Sequence, residues 1–140
     1  MMKITENLRI QHNEILQAVE DISSCMTAEK LSEDATQVFG LLLALSDNLS
    51  FHLKREDTAL YPALFRHPDK KISKLAKKYM DEMGGIRQAF KQYTARWPHA
   101  TSIQDSPEDF IAETREIFDT LCERIKKEDT FLYPMLEIVP

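Results

Sequence analysis

Leu49-Ser-Phe-His-Leu-Lys-Arg-Glu-Asp-Thr-Ala-Leu-Tyr-Pro-Ala-Leu64 reappears, without a gap, as Leu121-Cys-Glu-Arg-Ile-Lys-Lys-Glu-Asp-Thr-Phe-Leu-Tyr-Pro-Met-Leu136. Self-similarity of this kind marks a repeated structural unit. In both copies the core-facing candidates recur at alternating steps of four and three, the period of a helix that buries one face. A weaker match pairs His12-Asn-Glu-Ile-Leu-Gln-Ala-Val19 with Met83-Gly-Gly-Ile-Arg-Gln-Ala-Phe90, at an offset of 71 residues instead of 72. The chain therefore reads as a helix pair duplicated once. His12 corresponds to Met83, His52 to Arg124, and Glu56 to Glu128.

Working outward from the repeat, four stripes can be counted. The first is Leu8, His12, Ile15, Val19, Ile22, Met26; the second, starting near Ala28 to Ser32, is Val38, Leu42, Leu45, Leu49, His52, Glu56, Ala59, Ala63. The third is Ile72, Ala76, Tyr79, Met83, Ile86, Phe90, Tyr93, Trp97; the fourth, after the start signal Ser106-Pro107-Glu108, is Thr114, Ile117, Leu121, Arg124, Glu128, Phe131, Met135. Breaks fall at Met26 to Glu33, at His67-Pro68-Asp69 and at Trp97 to Ser106. Short connections make consecutive helices antiparallel neighbours. The expected fold is all-α: an antiparallel up-down-up-down four-helix bundle with an internal pseudo-two-fold duplication, one domain over residues 1–140. The repeated Tyr-Pro is expected to kink or end the last turns, since proline has no backbone donor.

Composition agrees. Of 140 residues, 43% are hydrophobic and 29% charged, with three glycines and six prolines, the balance of a helical globular chain. A net charge of −5 and the lack of a basic stripe argue against nucleic acid as a partner. The apolar run near Val38 to Leu45 is too short to span a bilayer, and the amino terminus has no signal-peptide core, so no membrane partner and a cytoplasmic location are expected. Cys25 and Cys122 have neither CxxC nor zinc-ligand spacing and read as buried thiols. Gly84 and Gly85 interrupt the third helix, where close helix approach or a small-ligand channel beside Met83 would account for them.

The apolar pattern leaves His12, His52, Glu56, Arg124 and Glu128 pointing inward. His52 and Glu56 are four residues apart on one helix face, and His12 and Glu128 arrive from other helices. Two imidazoles and two carboxylates suit iron, zinc or manganese, and inward His and Glu from facing helices are how bundles build such sites. The competing reading is structural, with core histidines hydrogen-bonded and both carboxylates paired with Arg124, because buried unpaired charge costs several kcal/mol. His67 and His99 stand beside prolines in connections and read as exposed, whereas Tyr79, Met83, Phe90 and Phe131 read as core and Tyr61 and Tyr133 as packing at the bundle end.

A His in the first helix, His52-x-x-x-Glu56 in the second and Glu128-Asp-x-x-Leu-Tyr-Pro at the end of the fourth resemble the hemerythrin-like, or HHE cation-binding, domains over nearly the whole chain. That resemblance implies a four-helix bundle around a non-haem di-iron centre bridged by carboxylates, which binds oxygen or senses oxygen, nitric oxide or iron. Residue by residue it implies His12, His52, Glu56 and Glu128 as metal ligands. Met83 and Arg124 stand where the family has histidines, and Tyr79 where some members have a further ligand. Both lost histidines would serve the same iron. The expectation is a reduced site, one iron or none, with zinc or manganese as the other candidates, and Arg124 in the second metal position neutralising Glu56 and Glu128. A sensor or binding role for iron or a small ligand follows from it, the alternative being a metal-free bundle acting as an interaction or regulatory module. No nucleophile with an adjacent base and no phosphate loop supports an enzyme.

Overall fold

Proline at the same place in both copies of the repeat sets the backbone around the polar residues. The computed structural model describes residues 4–137, so residues 1–3 and 138–140 of the expected domain lie outside it. In chain order the elements are α1 (Ile4–Ser23), α2 (Ala28–Glu33), α3 (Thr36–Arg55), a first π turn (Glu56–Leu60) leading into α4 (Tyr61–Phe65), α5 (Lys70–Arg96), α6 (Ala100–Asp105), α7 (Pro107–Lys127), and a second π turn (Glu128–Leu132) followed by α8 (Pro134–Glu137). Among the described residues there is no strand, and no helix is long and apolar enough to cross a membrane. Helix α1 packs on α3, α5 packs on α4 and α7, and α1 also touches α7.

Two of the expected breaks contain a short helix. The second long helix does not begin at Ala28 to Ser32; that stretch is α2, started by the Thr27 side chain accepting from the Lys30 amide. The chain is extended at Asp34, whose carboxylate accepts from the Thr36 amide at 2.9 Å and restarts the helix as α3. Helices α2 and α6 pack together and on α7, burying Leu31 and Ile103, and the Gln104 side chain accepts from the Ala35 amide at 3.1 Å. Helix α7 opens with Pro107 in its first turn, as its sequence predicts.

Both π turns end just before Tyr61-Pro62 and Tyr133-Pro134. An α-helical proline would collide with the carbonyl four residues earlier and leave it without a donor. Widening the turn to i→i+5 bonding relieves this, with the Tyr61 amide bonded to the Glu56 carbonyl and the Tyr133 amide to that of Glu128 at 2.8 Å. The extra residue shifts the buried stripe. Leu60 and Leu64 are buried in place of the expected Ala59 and Ala63, and Leu132 replaces Phe131, which is 57% exposed.

The first, second and fourth stripes bury as expected up to the π turns, whereas in the third Ile72, Tyr79 and Ile86 are only half-buried, so Tyr79 packs at the edge of the core and not inside it; the buried residues divide into two apolar clusters. The larger contains Ile15, Val19, Leu42, Leu45, Met83, Phe90, Phe118 and their neighbours; the smaller contains Leu8, Leu60, Tyr61, Leu64, Ala76, Leu132 and Tyr133. Cys25 and Cys122 are free and half-buried against the larger cluster rather than fully buried. Gly84 and Gly85 face solvent, and a Cβ on either would meet nothing within 4 Å, so neither close helix approach nor an internal channel accounts for them.

Candidate metal centre

The five polar residues expected to point inward are all buried, at 4% exposure or less, and they form a layer between the two clusters. His12 comes from α1 and His52 from the last turn of α3, while Glu56 and Glu128 each open a π turn. One ligand atom from each of His12, His52, Glu56 and Glu128 can be chosen so that all lie within 4.8 Å of one another. His67 and His99 stay outside the layer, His99 exposed as expected and His67 half-buried, its ring accepting from the Asp69 amide at 3.0 Å.

Both imidazoles are held by their outer nitrogen. The Gln11 side-chain carbonyl can only accept, so His52 Nδ1 donates to it at 2.8 Å. Asp129 Oδ1 accepts from His12 Nδ1 at 2.8 Å, and Asp129 is itself fixed by Arg9 at 3.5 Å. In the neutral rings these bonds leave both Nε2 lone pairs turned toward the layer. His52 Nε2 lies 2.8 Å from Glu56 Oε1, His12 Nε2 lies 3.2 Å from Glu128 Oε1, and the ring centroids are 4.5 Å apart. The Tyr133 hydroxyl, 3.0 Å from His12 Nε2 and 3.5 Å from His52 Nε2, donates to the nearer ring.

Four carboxylate oxygens, two each on Glu56 and Glu128, are buried and receive no aligned hydrogen bond, and the nitrogen atoms nearest Glu56 Oε1 and Glu128 Oε1 are the two Nε2 atoms, which carry lone pairs when the rings are neutral. Burial opposes ionisation of both acids. It raises Glu128 well above the ordinary carboxylate range, with the Glu56 charge adding to the effect, whereas Glu128, His52 and His12 together pull Glu56 below that range. The pair thus retains one proton that two separate carboxylates would lose. Burial also lowers His12, and the His52 ring adds to that, so His12 favours the neutral form in which Nε2 can ligate.

These donors fit a transition-metal ion. Ligand atoms about 2.0–2.2 Å from a shared ion lie roughly 3–4 Å apart when adjacent; the His12–Glu128 contact at 3.2 Å falls in that range and the His52–Glu56 contact at 2.8 Å just short of it. An ion would also satisfy the buried carboxylate oxygens, since buried charge without full compensation costs several kcal/mol.

The second half of the layer differs from expectation. Arg124 does not close on Glu56 and Glu128; its Nη2 pairs with Glu82 on α5, and its guanidinium covers the Tyr79 ring at 4.8 Å. Its charge is still felt by Glu128, which it lowers against the other influences, and its Nη1 is buried without a partner. Met83, 4% exposed, is part of the larger apolar cluster.

Sequence reading missed Gln11 and Asp129. Each is the chain neighbour of an inward residue and therefore lies off the buried stripe. The available signal was the repeated Glu-Asp, which keeps an acid beside the inward glutamate in both copies.

Compared with known proteins, the chain matches the family model described as Hemerythrin HHE cation binding domain over residues 3–136. No curated protein and no solved structure matches it.

Proposed function

The chain belongs to the hemerythrin HHE cation-binding domain family, and from that premise we propose that it binds a single transition-metal ion through His12, His52, Glu56 and Glu128. The carrying observation is the set of four buried carboxylate oxygens, none of them receiving an aligned hydrogen bond, that face two imidazoles held by Gln11 and Asp129 with Nε2 inward. Iron is the first candidate and zinc or manganese the next, because mixed imidazole and carboxylate sets serve all three.

In this reading the 1–140 chain is one domain, an up-down-up-down antiparallel bundle whose halves are related by a pseudo-two-fold axis. Support comes from matched contacts: Gln11 with His52, and, 71 and 72 residues later, Glu82 with Arg124. One half keeps its two histidines and the other has Met83 and Arg124, so the stoichiometry is one ion and not two. A bound ion supplies Lewis acidity and, if it is iron, a redox couple. The protein's residues supply orientation, charge and exclusion of water, which suits binding or sensing of a small ligand such as oxygen or nitric oxide.

Elemental analysis of protein purified from metal-replete cells tests this, with His52→Ala as the control. One equivalent in the parent, lost in the variant, is the expected result. Two equivalents would overturn the single-ion reading. None in either protein would favour the metal-free bundle acting as an interaction or regulatory module.

A further inference from the structure

The repeat closes one of its two related helix seams and leaves the other open. Carried back along the helices, the offset of 72 residues sets Ser46 against Phe118 and Ser50 against Cys122, and the offset of 71 sets Leu16 against Arg87. On the α1–α7 side, Phe118 is 3% exposed in the larger apolar cluster, and Leu16 and Cys122 pack against the same cluster. On the α3–α5 side those three positions hold two hydroxymethyl groups and a guanidinium. Serine fills far less space than phenylalanine, and Arg87 is paired with Asp57 at 2.7 Å. What remains is a groove of about 350 Å³ between α3 and α5, floored by the apolar side chains of Leu49, Leu53 and Phe90 and edged by Ser46, Ser50 and Lys91.

The same surface carries the projections that such a groove lacks. Leu43, Asp47 and Phe51 follow one another at steps of four along the outer face of α3. Leu43 is 52% exposed, and Phe51, at 59%, is the most exposed large hydrophobic side chain among the described residues. Phe51 is also the chain neighbour of Ser50 on the groove's edge. Large apolar side chains grouped beside an apolar groove mark a contact surface more than a solvated one. Asp47 and Lys91, one from each side of the groove, are exposed, and neither side chain has an ion-pair partner among the described residues.

We propose that the α3–α5 face is a contact between two copies of this chain related by a two-fold axis, in which Phe51 of each copy enters the groove of the other and occupies the kind of space that Phe118 fills from within on the α1–α7 side. A two-fold contact brings one patch against itself, so it requires a projection and a matching groove on the same patch. This patch has both, and it also has both signs of charge. Asp47 of one copy paired with the partner's Lys91, twice over, fixes the register at the rim. The groove contains none of the four candidate metal ligands, so the contact stands independently of the metal reading.

Sedimentation equilibrium of the full chain over a range of concentrations tests this. Parent protein is expected to approach twice the mass of one chain as concentration rises. Phe51→Asp should weaken self-association about tenfold or more, equivalent to ~1.4 kcal/mol, whereas Phe131→Ser, which removes a comparably exposed ring outside the groove, should leave it unchanged. Asp47→Lys should weaken it as well, and adding Lys91→Asp should restore it, a rescue that unspecific stickiness does not give. Ser46→Phe, copying Phe118, should fill the groove from within and hold the chain monomeric; if that variant does not fold, the charge rescue decides. A parent that stays monomeric at every concentration, self-association indifferent to Phe51→Asp, or a double charge reversal that restores nothing overturns the two-fold contact.

Discussion

Asp129 grips His12 from behind, accepting from Nδ1 at 2.8 Å, one residue beyond the Glu128 whose oxygen lies 3.2 Å from the same ring's Nε2. One π turn thus delivers a candidate ligand and the group that aims its neighbour. Partners that orient a ligating imidazole are commonly worth 10–100-fold in metal affinity. Asp129→Asn and Gln11→Ala should therefore each weaken metal binding by roughly that factor while leaving stoichiometry unchanged, as measured by competition with a chromogenic chelator.

Restoring imidazoles to the second half should restore its capacity. Met83→His combined with Arg124→His is expected to raise metal content from one to two equivalents per chain by elemental analysis. Arg124→His alone should raise it partially. No increase in the double variant would show that the second half has lost more than its two histidines.

Glu128 in the metal-free protein has a folded-state pKa raised by burial and by Glu56. Its folded form therefore holds a proton that the unfolded chain releases near the ordinary glutamate value. The linked stability is fully present below that value and is lost as pH rises through the higher folded pKa. Glu128→Gln removes this loss. The metal-free variant should melt at a higher temperature than metal-free parent at pH 7.5, with the gap narrowing toward pH 4.5, while its metal affinity falls.

The shift introduced by the second π turn can be read by paired substitutions. A regular helix would bury Phe131, whereas the structure buries Leu132 completely and leaves Phe131 57% exposed. Leu132→Ala should cost ~2–5 kcal/mol, and Phe131→Ser should stay within about 0.5 kcal/mol, both by urea denaturation. The reverse order would mean that α-helical phase persists past Glu128.

Helical period and the repeat made three of the long stripes legible as far as Glu56 and Glu128, and most of the third, whose Ile72, Tyr79 and Ile86 are only half-buried, together with all five residues of the polar layer. Beyond those points the period changes. Nothing in a count of three and four anticipates the fifth residue that a proline draws into the turn, so Ala59, Ala63 and Phe131 were placed on the wrong face. Helices α2 and α6 were missed because six residues are too few to display a period, and their stability comes from packing on each other and on α7. For Arg124, pairing opposite charges in sequence favoured Glu56 and Glu128. The fold offers the guanidinium Glu82 and the face of Tyr79 instead, and that pairing depends on α5, which a single-helix reading does not include.

The polar layer also partitions the molecule's cooperativity. Among the described residues, seven buried ones on one side of it, drawn from α1, from the first π turn and α4, from α5, and from the segment around Leu132 and Tyr133, form a much smaller apolar unit than the cluster on the other side. A unit of that size can open at lower free energy than the whole. Opening it would uncover Glu56 and Glu128 while the long helices stay packed, giving an ion a way in and out that does not require global unfolding. Amide hydrogens of Tyr61 and Leu64 should then exchange well before those of Leu42 and Leu45, and a bound ion should slow the first pair selectively. Equal exchange in both pairs would mean that the layer and its two flanking clusters open only together.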